Sequence, residues 1–386
     1  MTLNMGPQHP STHGVLRIIL ELDGERVVSA TPVIGYLHRG IEKLAEGMTY
    51  HQIIPLTDRL DYTACMSCNL GYVWAVERLL GIEQDIPARA RAIRIAVAEL
   101  SRIGGHLIWI GSHAADIGAL TVFLYSFIDR EFIYELFEAI SGQRMTVSYP
   151  RIGGVSADLP AGWVEKCREF CRIFPRKVDE YETLLTNNRI WNSRTRGIGV
   201  LSAADILEWG VTGPMARGSG VAYDLRKVLP YGGYEEYDFE VPLGQAGDTY
   251  DRYLVRIREM RQSVRLIEQA LDRLTDGPVM ADVPAVAPPP RVDVNTRIEA
   301  LIHHFHLVVE GFSPPRGEVY FASEAPKGEL GFYLVSDGGP KPYRCAIRVP
   351  SFSNLQSIVK MAPGRFLADM VALIGTIDIC LADIDK

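Results

Sequence analysis

The hydrophobic positions of this chain change period along its length. Val15 to Leu22 is rich in β-branched and aliphatic residues, Asp23-Gly24 is a two-residue turn signal, and Arg26 to Val33 returns, which predicts an opening β-hairpin. From about Thr57 the period becomes helical. Tyr72 to Leu80 reads as one helix stopped at Gly81, and Pro87 starts a long one towards His113, with Ile93, Val97, Leu100, Ile103 and Leu107 on one stripe. Further helical patterns cover Ala119–Ile140, Ala161–Leu185 and Thr249–Leu274. The run Val283 to Pro290 holds four prolines, which lack the backbone donor, so it reads as a surface connection. Beyond it Glu318–Ser323, Glu329–Val335 and Tyr343–Val349 alternate like strands, and a last helix is expected over Leu355–Gly375. There is no internal repeat. The pattern predicts an α+β fold, a long-helix bundle with small antiparallel sheets near the termini. It forms one domain over 1–386, with an N-terminal β region (1–50), a helical bundle (57–275) and a C-terminal α+β region (291–386).

Composition narrows the function. A formal net charge of -7 argues against nucleic acid as a partner, because neutralising phosphates needs a basic surface. Six cysteines without regular spacing read as reduced thiols rather than a disulfide framework. The polar opening run Met1 to Pro7 does not resemble a secretory signal. The most apolar region, Leu107 to Ile128, carries His113 and Asp116, and its uncharged pieces are shorter than the ~20 residues that span a bilayer. A chain of this kind is expected to be soluble alone and to be held at any membrane by partners.

Four constellations could carry chemistry. Gly6-Pro-Gln-His-Pro-Ser-Thr-His-Gly14 places His9 and His13 on a constrained loop, suited to proton delivery or, more plainly, to turn hydrogen bonds. Asp58-Arg-Leu-Asp-Tyr62 precedes Cys65-Met-Ser-Cys68; the Tyr62 phenol could donate to a carbonyl oxygen, whereas one Cys-x-x-Cys supplies only half of a tetrahedral metal site. Cys167 and Cys171, at i,i+4, read as core packing. Asp116 lies in apolar surroundings and needs a partner or a polar cavity, unless it caps a helix. Asn188 to Gly197 is dense in arginine; it reads as a grip on an acidic partner or as a solvated loop.

Together these strings resemble one family. The loop 6–14, Gly35-Tyr-Leu-His-Arg-Gly40, Asp58–Tyr62, Ser141-Gly-Gln-Arg-Met145 and Asn188-Arg-Ile-Trp191 are similar to the D subunit of respiratory complex I. So are Gly213-Pro-Met-Ala-Arg-Gly-Ser-Gly220, Glu324-Ala-Pro-Lys-Gly-Glu329, Val335-Ser-Asp-Gly338 and Gly375-Thr-Ile-Asp-Ile379, in order along essentially the whole chain. The resemblance implies a fold like the large subunit of nickel–iron hydrogenases and a place in the peripheral arm of a proton-translocating NADH:quinone oxidoreductase. It implies the B, C and I subunits and the membrane-arm H subunit as partners, at the cytoplasmic side of the inner membrane. The B subunit would own the last iron–sulfur cluster, and the substrate, ubiquinone or menaquinone, would bind between it and this chain. By resemblance His13 and Tyr62 bind the quinone headgroup, Asp116 is the acid paired with His13, and Arg39 lies beside the cluster. No metal or other cofactor is expected to be held permanently by the chain. No Gly-x-Gly-x-x-Gly follows a strand, so NADH and flavin are expected on other subunits.

Two departures from the pattern matter. Many relatives have histidine after the Arg-Met string; here that residue is Thr146, so proton-linked tuning of the cluster from this position is expected to be weak or absent. Hydrogenase large subunits hold metal on two Cys-x-x-Cys pairs. Cys65 and Cys68 fall where the first lies, but the second resembles Asp378-Ile-Cys380-Leu-Ala-Asp383, with Asp383 for the last cysteine. The competing readings are an energy-converting hydrogenase-like subunit with a metal site and a purely structural scaffold.

Overall fold

The computed structural model describes residues 1–12 and 14–386; His13 lies outside the described residues. The predicted hairpin is present as β2 (Arg17–Asp23) and β3 (Arg26–Val33), with Asp23 paired to Arg26 and Gly24 supplying the positive φ of the turn at 60°. Alternation turns Ile18, Leu20 and Leu22 inward with Val27 and Ala30. A strand that the pattern did not announce, β1 (Thr2–Met5), pairs antiparallel with β2 and completes the sheet in the order β1-β2-β3. Four residues are too few to establish a period, so pairing decides this strand.

The helices Cys65–Leu80, Ala88–Asp116, Leu120–Ser141, Trp163–Leu185 and Thr249–Asp272 follow the predicted segments. Gly81 ends the first of them in the left-handed region at φ 73°, as its place after the last apolar residue implies. The 29-residue Ala88–Asp116 helix is the axis of the molecule. It packs on the helices Cys65–Leu80, Leu120–Ser141, Thr249–Asp272 and Asp369–Ile377, so it is buried well beyond the single predicted stripe. Cys167 and Cys171 are buried in the same core, as core packing requires.

A short sheet, β4 (Pro150–Arg151) with β5 (Gly154–Val155), follows the Leu120–Ser141 helix. The three strands predicted beyond the proline run are β6 (Gly317–Ala325), β7 (Gly328–Ser336) and β8 (Arg344–Arg348), antiparallel in the order β6-β7-β8. Two features differ from expectation. Helices Arg291–Thr296 and Ile298–Val309 occupy the segment before β6. In the second, Ile298, Leu301, Ile302 and Phe305 have helical spacing but are exposed, so that stripe does not mark a core face. The last predicted helix is broken into Pro350–Gln356, Ile358–Met361 and Asp369–Ile377. Pro363-Gly364 interrupts it, and the interruption pairs with the first sheet: Gly364 N donates to Val27 O and Val27 N donates to Arg365 O. A second core accordingly joins Ile18, Leu20 and Val27 to Leu355, Met370, Leu373 and Ile377.

Burying so much of the central helix also buries its polar residues, and they are matched in ion pairs. Glu99 meets Arg102 at 3.1 Å and Arg226 at 3.1 Å, and Arg226 meets Asp224 at 2.6 Å. Arg217 contacts Glu259 and Glu324, each at 2.7 Å, and His106 meets Glu259 at 2.9 Å. Burial works against the Glu259 charge, but Arg217 and His106 outweigh it and hold the carboxyl well below the usual range.

Candidate functional site

Tyr62 begins the 3-10 turn Tyr62–Ala64 that leads into the Cys65–Leu80 helix. The turn is fixed by Asp61, whose Oδ1 accepts from Thr63 N at 3.1 Å and from Thr63 Oγ1 at 2.6 Å. It packs on the central helix where Gly105 leaves room; a Cβ there would lie 3.3 Å from Pro326 and 3.8 Å from Ala64. Tyr62 itself is 44% exposed. The neighbouring Cys380 sulfur and partial burial raise its pKa above the ordinary value, with Lys327 pulling the other way, so the phenol keeps its proton at neutral pH.

The segment after the Asp369–Ile377 helix closes the site from a second side. That helix is seated on the central one at Gly375, where Trp109 Nε1 donates to Gly375 O at 2.7 Å and an added Cβ would meet His113 Nδ1 at 2.1 Å. Asp378 ends it in the left-handed region at φ 60°, a conformation that aspartate tolerates. Its carboxylate lies 4.0 Å from Lys327 Nζ and 3.9 Å from Arg256 Nε. The predicted first loop reaches the same place, since a Cβ on Gly14 would lie 3.5 Å from Leu381. Beside the loop is an open pocket of about 740 Å³ lined by Pro7, Gln8, His9, Gly14, Val15 and Tyr36. His9 Nδ1 accepts from Ser11 N at 3.2 Å, so the turn reading describes His9. A separate cavity of about 510 Å³, lined by His51, Arg151, Met280 and His304 among others, contains none of the predicted site residues.

Arg39 is exposed, and its Nη2 donates to Arg59 O at 2.9 Å and Ala382 O at 2.7 Å. Those bonds tie its loop to the Tyr62 segment and to residues 380–386. Asp116 is the last residue of the central helix, and Ala119, at the start of the next, carries no side-chain cap. The cap reading therefore fails, and an acid in a last turn opposes the helix dipole. Eleven residues separate Asp116 from Gly105, roughly 16 Å along the axis at about 1.5 Å per residue. The Tyr62–Ala64 turn thus packs on the middle of the helix whose last residue is Asp116. Thr146, in the string near the expected cluster, has φ 53°, and Ser148 has φ 44°. Positive φ at a β-branched residue is strained, and Asp58 holds the loop by accepting from Ser148 N at 3.4 Å and from its hydroxyl.

The arginine-dense run is a short capped helix and not a solvated loop. Asn188 caps the helix Arg189–Thr195, Trp191 is buried, Arg194 pairs with Asp369 at 3.3 Å, and Arg196 lies 3.8 Å from the Tyr250 ring centre. Sequence reasoning missed Lys327 and Asp385. Lys327 Nζ contacts Asp61 Oδ2 and Thr63 Oγ1, each at 2.7 Å; Asp385 accepts from Gly35 N and Leu37 N, each at 2.8 Å. Lys327 was visible only as a member of the Glu324–Glu329 string, and Asp385 carried no signal.

Cys65, Cys68 and Cys380 are buried. Burial, with Asp58 nearby, pushes the Cys65 thiol up to about 11, and burial also raises Cys68 and Cys380. Among the described residues no three His, Cys, Asp or Glu side chains converge as a metal site. Burial and the Asp61 charge push the Asp383 carboxyl up to about 7. The unfolded value is ~3.9, so between about pH 4 and 7 the folded state binds more protons and its stability falls as pH rises. Amide-exchange protection of residues 378–386, corrected for intrinsic rates, should drop from about pH 5 to about pH 8, and Asp383→Asn should flatten that drop. Equal slopes in both proteins would refute this.

The chain matches the family model described as respiratory-chain NADH dehydrogenase, 49 Kd subunit, over residues 116–386. It is 61% identical over 386 residues to the NADH-quinone oxidoreductase D subunit of Geotalea uraniireducens, covering 100% of this chain and 98% of that protein. The D subunit of Geobacter sulfurreducens is also 61% identical, with the same coverage, and that of Citrifermentans bemidjiense is 60% identical over 386 residues, covering 100% and 99%. Among the described residues no helix is long and apolar enough to cross a membrane.

Proposed function

The chain belongs to the 49 Kd family of respiratory-chain NADH dehydrogenases, the D subunits of NADH-quinone oxidoreductase, and from that premise we propose that its Tyr62 region is where quinone is reduced. The observation that carries the reading is a protonated phenol, 44% exposed, on a turn locked by its neighbours and beside Cys380, in the segment whose Leu381 the first loop approaches at Gly14. Electrons would come from an iron–sulfur cluster of the B subunit, beside which the exposed Arg39 guanidinium would sit. Thr146 carries no titratable group, so no proton-linked tuning of that cluster is assigned to it.

Quinone reduction takes up two electrons and two protons, and each oxygen that gains charge needs a donor at hydrogen-bond range. Tyr62 donates to one carbonyl oxygen and fixes its position. His13, on the constrained loop, delivers a proton to the headgroup, and Asp116 balances its charge. When His13 has given up its proton, Asp116 loses a partner charge, which is the first step of coupling to proton translocation. The B, C, I and H subunits complete the surroundings and hold the chain as a peripheral component at the inner membrane. The hydrogenase-like alternative is weaker because the position of the fourth sulfur is taken by the carboxylate of Asp383.

The test is photolabelling of the intact complex with a photoreactive short-chain quinone. Label is expected in segments 6–14 and 58–68, and unmodified quinone should compete it away. Label confined to other parts of the chain, or insensitive to competition, would refute the reading. About one nickel, iron or zinc per chain in the purified protein would favour the hydrogenase-like alternative.

A further inference from the structure

We propose that Lys327 is a positioning residue for Tyr62, acting as a clasp on the two residues that flank it. The inference rests on the reading of Tyr62 as the headgroup donor. The ammonium contacts Asp61 Oδ2 and Thr63 Oγ1, each at 2.7 Å, so the residues before and after Tyr62 are bound to one buried cation. The other oxygen of Asp61 accepts from Thr63 N and Oγ1, which closes a ring of three side chains beneath the tyrosine. The Lys327 and Asp61 side chains are only 2% and 6% exposed, so water competes little for these bonds.

The clasp is delivered from a rigid element. Lys327 sits in the tight turn between β6 and β7, where Asn354 Nδ2 donates to Lys327 O at 3.1 Å and Thr212 Oγ1 accepts from Glu329 N at 3.1 Å. Gly328 lies so close to the Thr212-Gly213 backbone that an added Cβ would meet Gly213 N and Thr212 C, each at 2.9 Å. Behind the ammonium, Asp378 at 4.0 Å and its own neighbour Arg256 complete an alternating line of charges. Burial disfavours the Lys327 charge, but Asp61 and Asp378 outweigh it, so the clasp stays ionised across the working pH range. A half-exposed phenol on a turn would otherwise sample several directions. Holding both flanking residues leaves it mainly its own side-chain torsions, and reactions of this kind lose about 10²-fold for an error of about 1 Å.

The variants are made in the intact complex, with electron transfer from NADH to a water-soluble acceptor as the assembly control. Lys327→Met alone would leave Asp61 as a buried lone charge, so it is paired with Asp61→Asn; Thr63→Val is the milder variant. Each is made with the native Tyr62 and together with Tyr62→Phe. We expect about a 10-fold loss of quinone reduction from the pair, and a loss of about threefold from Thr63→Val, when Tyr62 is intact. Both losses should shrink to less than about twofold in the Tyr62→Phe background, because a clasp on an absent hydroxyl has nothing to position. Undiminished losses in the Tyr62→Phe background, or no loss in either, would overturn the clasp alone. Full activity of Tyr62→Phe itself would overturn the headgroup reading, and the clasp with it.

Discussion

Tyr62→Phe is expected to lower quinone reduction by about two orders of magnitude, while the complex assembles normally and passes electrons from NADH to a water-soluble acceptor at full rate. The exchange removes one oxygen and keeps the ring, so packing on the turn is preserved. The loss is confined to a step in which a carbonyl oxygen gains charge, where one fixed donor counts for far more than it does in water. The raised pKa of the phenol gives the expectation a second part. With the proton retained through the working range, the residual activity of the variant should follow the same pH profile as the parent, scaled down. Initial rates with a short-chain quinone, from about pH 6 to 9, check both parts. Wild-type rates in the assembled variant would remove Tyr62 from the headgroup.

Arg217→Met should prevent accumulation of the folded subunit. The guanidinium is fully buried and lies 2.7 Å from both Glu259 and Glu324, and Asp224 is 3.8 Å away. Methionine fills similar volume, so the effect is electrostatic. Two carboxylates lose their contact cation, and stranding such charges costs about 3–5 kcal/mol. That is a large part of the ~5–15 kcal/mol that separates folded from unfolded domains. Glu324 already has its carboxyl pKa raised by burial, with Arg217 the main opposing influence, so it should take up a proton in the variant. The measurement is the amount of the subunit in membranes and the denaturant midpoint of whatever assembles. A variant as abundant and as resistant as the parent would show that the network relaxes without this cation. Arg217→Lys should fall between the two, since it restores charge but not the fork of contacts.

Period and turn chemistry were enough to place the first hairpin, the long helices and the β6-β7-β8 sheet, because each is decided among neighbouring residues. The failures share another cause. Strand β1 exists because β2 offers it an edge, and the break after Met361 is held open by β3. At the site, Tyr62 and Arg39 stood out because a resemblance pointed to them, and Tyr62 also because its chemistry can be named from the side chain alone. Lys327 did not, since its partners Asp61 and Thr63 are 266 and 264 positions away. Asp385 is further still, 350 positions from Gly35. Local pattern carries no record of such pairings. The arginine-dense segment erred in the opposite direction, because Trp191 is drawn into the core and turns an apparent surface loop into a capped helix.

The Asp385 contacts bear on the order in which the molecule is made. The loop that displays Arg39 leaves the ribosome early. The groups that hold it are added about 350 codons later: Asp385 for Gly35 N and Leu37 N, and the Ala382 carbonyl for Arg39. Contacts closed over such distances form late and slowly. During synthesis the Arg39 loop is therefore unfinished, and it gains its full set of contacts only on a chain that has been translated through Asp385. A product cut short of that residue would keep much of its helical core and lack the carboxylate that accepts from Gly35 N and Leu37 N. The same pair of backbone amides thus makes the shape of the loop depend on a residue added about 350 codons after it.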